Sequence, residues 1–122
     1  MARTIGLCNY GCCEPLDRKI SVLKTIPNLS KISRSPCIDV ERATKAVGSS
    51  YVFSFKPSPA VLARKRWDLA LARRDLEKTL TAARRHGCGV EIIMKDLSMV
   101  HHVPKRLWQW AQMAKEITER FA

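Results

Sequence analysis

Apolar and polar positions fall in blocks along this chain: four short apolar runs each end in turn-forming residues, and each is followed by apolar residues at helical spacing. The first run, Thr4-Ile5-Gly6-Leu7-Cys8, suits a strand buried on both faces. It leads into Tyr10-Gly11-Cys12-Cys13-Glu14-Pro15. Asp17 then stands where it would cap a helix of about three turns with Ile20, Leu23 and Ile26 on one stripe, and Pro27 stops that helix because proline cannot continue the hydrogen-bond ladder. A weaker strand, Leu29 to Ser33, ends in Arg34-Ser35-Pro36-Cys37; Asp39 caps a helix carrying Val40, Ala43 and Val47, and Gly48 is placed for a left-handed C-terminal cap.

The third run, Tyr51-Val52-Phe53-Ser54-Phe55, is the clearest strand, rich in aromatic and β-branched residues. Lys56-Pro57 closes it. Ser58 and Pro59 read as cap and first residue of a short helical turn, and Asp68 caps a long helix with Leu69, Ala72, Leu76, Leu80 and Ala83 inward, ended by Gly87. The fourth strand, Val90-Glu91-Ile92-Ile93-Met94, runs into Lys95-Asp96, and a last helix from Pro104 places Leu107, Ala111, Ala114, Ile117 and Phe121 on one stripe, flanked by Trp108 and Trp110.

Four consecutive strand-helix units predict an α/β fold whose parallel strands are joined by right-handed crossovers. The architecture expected is the half of a TIM (β/α)8 barrel, or a small open sheet. A length of 122 residues bounds the chain to a single domain, 1–122, shorter than a closed barrel. With 46% hydrophobic and 27% charged residues and no low-complexity tract, it has the composition of a folded protein. No run approaches the roughly 18 apolar residues of a membrane span, and the N-terminus lacks the layout of a secretion signal, so no membrane association and a cytoplasmic location are expected.

Five cysteines and three histidines show no Cys-x-x-Cys pair and no zinc-finger spacing, which points to reduced thiols. The net charge of +11, from 22 basic against 11 acidic residues, favours anionic partners.

In a parallel sheet the strand carboxyl ends share one rim, where loops and helix N-termini converge on ligands. That rim gathers Asn9, Tyr10, Cys12, Cys13, Glu14, Arg34, Lys56, Lys95 and Asp96. Cys12 and Cys13 read as reactive thiolates or metal ligands beside cations that lower a thiol pKa, or as small buried hydrophobes next to a turn. Glu14 is either a general acid or base, or a carboxylate favoured at the following helix N-terminus. Arg34, Lys56 and Lys95 together suit an anionic group, though singly each is an ordinary loop charge, and Asp96 can pair with one of the lysines. His101 and His102 stand close enough to the rim to be weighed as ligands or proton carriers.

Five segments then carry a family resemblance: Tyr10-Gly11-Cys12-Cys13-Glu14-Pro15, Ile26-Pro27-Asn28-Leu29, Asp39-Val40-Glu41, Phe53-Ser54-Phe55-Lys56-Pro57-Ser58-Pro59-Ala60 and Glu91-Ile92-Ile93-Met94-Lys95-Asp96. Together they resemble the C-terminal part of uroporphyrinogen decarboxylase-like proteins, closest to the bacterial branch of uncertain substrate. The resemblance spans nearly all of this chain and about the last third of the family's barrel. It implies a (β/α)8 barrel with its site at the strand carboxyl ends and one of two chemistries. One is the lyase reaction that removes carboxylates from a tetrapyrrole without a cofactor. The other is methyltransferase chemistry between a corrinoid protein and a thiol, using zinc.

By the same resemblance, Cys12, Cys13 and Glu14 are the catalytic candidates, with Cys12 and Cys13 also the metal candidates. Asn9, Tyr10, Arg34, Lys56, Lys95 and Asp96 are then substrate contacts for an anionic small molecule or tetrapyrrole-type ligand. The zinc motif of the methyl-transfer branch is His-x-Cys at one strand end with a second cysteine at the last. Here Tyr10 stands at the histidine position, and Lys95-Asp96 where the last cysteine would fall.

Two further expectations compete with an enzyme complete in itself. Arg64-Lys65-Arg66, Arg73-Arg74, Arg84-Arg85 and Lys105-Arg106 suit a non-catalytic binding module for polyanions, although no nucleic-acid-binding motif accompanies them. Alternatively, four open strands with Met1 directly before the first fit a fragment, or a half-barrel needing a partner chain, as a homodimer or with a separate missing half.

Overall fold

The structure is a computed structural model that describes residues 6–11 and 18–122. Its order is β1 (Cys8–Tyr10), α1 (Ile20–Leu23), β2 (Leu29–Arg34), α2 (Val40–Val47), β3 (Val52–Phe55), α3 (Ala60–Ala63), α4 (Leu69–Arg85), β4 (Gly89–Ile92) and α5 (Lys105–Phe121). The four strands form one sheet in the sequential order β1-β2-β3-β4, all parallel. The sheet is open, with β1 and β4 at its edges.

Sequential order with one crossover hand places every helix on the same face. In accord with that, α1, α2, α4 and α5 pack in a row, each against the next. Their buried residues, among them Ile20, Val47, Leu76, Leu80, Met113 and Ile117, form one core with Ile32, Phe53 and Phe55 of the sheet.

Local chemistry explains most boundaries. Asp39 accepts the backbone N–H of Arg42 at 3.1 Å, and Asp68 that of Leu71 at 2.9 Å, so both expected caps start their helices. Gly87, at φ 64°, turns the chain out of α4 in a conformation that a side chain would oppose.

Other elements depart from expectation. The first strand lies later than residues 4–8, at Cys8–Tyr10, and β4 ends at Ile92 instead of Met94. Only four residues of the first helix are helical; it tightens after Leu23 through Thr25 N–H to Val22 and Ile26 N–H to Leu23, while Asp17 lies outside the described residues. Pro59 is the cap of α3, and the Ser58 side chain bonds no helix N–H. The inward stripe of α5 is Arg106, Trp110, Met113, Ala114 and Ile117, which leaves Leu107 and Ala111 exposed. No helix among the described residues is long and apolar enough to cross a membrane.

Candidate functional site at the strand ends

Arg34, Phe55 and Ile92 are paired in register, so β2, β3 and β4 end level with one another. Ser35, Lys56 and Ile93 follow one step on, and the rim expected for parallel strands is present at this level. Lys56 is half-buried directly after β3 and makes no ion pair among the described residues. Lys95 and Asp96 pair with each other at 2.7 Å, as the alternative reading of Asp96 anticipates. Asn9 is exposed on β1, whereas Tyr10, at the end of the same strand, is half-buried and packs against the hydrophobic core. Arg34 is 0% exposed, so its guanidinium lies inside the protein and not among solvated loop charges. Cys12, Cys13 and Glu14 lie outside the described residues.

The helix-free face of the sheet carries a polar row whose partners are far apart in sequence. Lys31 Nζ donates to Glu91 Oε1 at 2.8 Å and Ser54 Oγ to Glu91 Oε2 at 2.8 Å, bridging β2, β3 and β4. The ammonium of Lys31 and then the Ser54 hydroxyl hold the Glu91 carboxyl below the usual range for a glutamate. Ser54 and Ser33 are buried in the same row, and the Ser33 hydroxyl has no hydrogen-bond partner among the described residues. Sequence reasoning missed this row. Its signal was the parity of Lys31, Ser33, Ser54 and Glu91, polar residues at alternate positions inside otherwise apolar strands.

Beside β4 the rim is shaped by an arginine that sequence reasoning assigned to a solvated cluster. Arg106 is buried and donates to the carbonyls of Leu62 at 3.0 Å, Arg64 at 2.6 Å and Lys65 at 3.1 Å. The His101 ring donates to the Ala63 carbonyl at 2.7 Å, from a loop in which His101 and His102 both adopt left-handed backbone. These contacts hold Arg64, Lys65 and Arg66 exposed beside the rim. Of the other arginines expected on a polyanion face, Arg73 lies 3.6 Å from Glu116 and Arg85 2.9 Å from Glu41, while Arg74 and Arg84 are exposed.

A groove of about 880 Å³ opens on the helix side, between the two-turn α2 and the longer α4, over Phe55, Leu76 and Trp110. None of the predicted site residues that are described lines it. In its polar wall Asp39 caps α2, and Glu41 is held by His86 and Arg85, which lower its carboxyl pKa in that order.

Among the described residues no three His, Cys, Asp or Glu side chains converge on one point. The two positions that would complete the zinc motif hold a core-packed tyrosine and a Lys–Asp pair, and the metal candidates Cys12 and Cys13 lie outside the described residues. The thiols described are Cys8, half-buried, Cys37, exposed, and Cys88, whose pKa burial raises.

Fold and site define an all-parallel, four-stranded α/β protein with its helices on one face and a cationic strand-end rim. Comparison with protein-family models, with curated proteins and with solved structures gives no match to this chain.

Proposed function

We propose that this chain is one half of a (β/α)8 barrel of the uroporphyrinogen decarboxylase-like kind, whose strand-end rim holds carboxylates of a tetrapyrrole-type ligand. Lys56 carries the reading: a half-buried cation at a parallel strand end, with no counter-charge among the described residues, is completed by an anion. In decarboxylation the bond to a carboxylate carbon breaks, carbon dioxide leaves, and the electron pair left on the substrate takes up a proton. Glu14 is assigned that proton. The cofactor-free branch is preferred because Tyr10 and Lys95-Asp96 stand where the zinc motif of corrinoid-dependent methyl transfer has a histidine and its last cysteine.

Uroporphyrin, a fluorescent polycarboxylate, is the probe. It is expected to bind the purified chain, and Lys56→Ala to weaken binding about tenfold, the loss of one charge-assisted contact, while Arg74→Ala on the outer face of α4 leaves it unchanged. Absence of binding, or equal affinity for Lys56→Ala, overturns the reading. A second reading, a polyanion-binding module, is favoured by the exposed Arg64, Lys65 and Arg66 held beside the rim by Arg106. Binding of an oligonucleotide in place of uroporphyrin, reversed steeply by salt, would select it.

A further inference from the structure

We propose that the other half of the barrel is a second copy of this chain, with β4 of each copy pairing in parallel with β1 of the other. The inference rests on the half-barrel part of the preceding reading and is independent of the ligand.

Among the described residues both edges of the sheet are unpaired parallel strands, and one sheet's β4 edge offers the hydrogen-bonding groups that another's β1 edge lacks. Two copies related by a two-fold axis along the strands keep all strands parallel. They supply eight, the number at which a barrel closes with its interior filled by side chains. The contact is head-to-tail, and the two-fold repeats it once so that the ring closes without further growth.

The helix-free face suits a barrel interior better than a solvated surface. Its described charges, Lys31 and Glu91, cancel as a pair in a chain of net charge +11. Ser33 and Ser54 are already buried there, while Val52 and Ile93, on the same face by alternation, remain 37% and 40% exposed. Closure would cover apolar surface and leave no unpaired charge among these residues inside.

The ends of the helix row are complementary as well. The α4 side of α5 is engaged through Trp67 to Gln109, Arg73 to Glu116 and Arg120 to Glu77. Its opposite flank presents Leu107 and Ala111 at i and i+4, both exposed, with the alanine small enough for close helix approach. At the other end of the row, α1 exposes Val22, at 66%, and Leu7 is 80% exposed beside β1. Pairing β4 with the second copy's β1 brings the α5 flank onto this end. It also sets the β4 end, with Lys95 and Asp96, beside the second copy's Tyr10 and Gly11, so each rim site is built from both copies.

Sedimentation equilibrium of the full chain at micromolar concentration is expected to give twice the 13.8 kDa chain mass. Ala111→Glu and Val22→Lys, both exposed positions, are each expected to loosen the dimer about 30-fold or more, with helical circular dichroism retained. Trp108→Glu, on the solvent side of α5, leaves the mass unchanged. Mixing Ala111→Glu with Val22→Lys chains restores a dimer, because one interface then gains a Glu–Lys pair and the other is unaltered.

A monomer at about 100 μM, against the nanomolar to micromolar range of stable complexes, overturns the proposal. So does a mass that grows without limit, or a dimer that the mixed variants fail to restore. A closed dimer that ignores uroporphyrin keeps this inference and sinks the proposed ligand; a monomer that binds it does the reverse.

Discussion

Arg106 occupies a core position because α3 ends after four residues with carbonyls that no helical N–H can reach. A planar guanidinium supplies several donors in a fixed fork, which suits three carbonyls in one short loop. Arg106→Ala is expected to cost about 3 kcal/mol in urea unfolding, since buried acceptors lose their donors. Arg106→Lys restores the charge without the fork and is expected to recover less than half. Glu91 supports a prediction in pH. Its carboxyl is held low in the folded chain, first by Lys31 and then by Ser54, so its contribution is present above the unfolded pKa and lost as pH falls through the folded one. Glu91→Gln is therefore expected to flatten the acid limb of stability, read from denaturant midpoints between about pH 3 and pH 7.

Among the helices, α4 carries the most packing, touching α2, α5 and β4. Its start depends on one carboxylate, so Asp68→Ala is expected to lower stability by about 1 kcal/mol, checked by denaturant unfolding with an unchanged slope. The element pattern was legible wherever signals were local: both Asp caps, the glycine after α4 and the aromatic run of β3 each act within one turn or strand. The phase of α5 was not. Leu107, Trp108, Trp110, Ala111, Met113, Ala114 and Ile117 offer apolar residues around much of the helix, so two stripes fit a period of 3.6. Arg106 decides between them by being drawn inward to the α3 carbonyls, and it rotates Leu107 and Ala111 out.

For the whole molecule, the consequential fact is an open parallel sheet with helices on one face and a neutral polar row on the other. Both strand edges and the free α5 flank bear on the same question, and a closed dimer answers all three at once. Its mass-action signature belongs to this scale: a dimer binds only as folded chains, so thermal stability should rise with protein concentration. The candidate site was legible at the level of the rim, since parallel strands put their ends together whatever the side chains. Which rim residues are available to a ligand was not legible. Arg34 is enclosed, Lys95 is paired with Asp96, and Lys56 keeps an unmatched charge among the described residues.

The sequence by itself determined the four strand-helix units, most of their caps and stops, and thereby the parallel order, because these depend on residues within a few positions of one another. Only the tertiary structure decided that Glu91 would meet Lys31, 60 residues away, that Arg106 would be buried, and which flank of α5 would be left uncovered. A polar group enters the interior only where distant segments supply its partners, and linear spacing does not record where those segments meet.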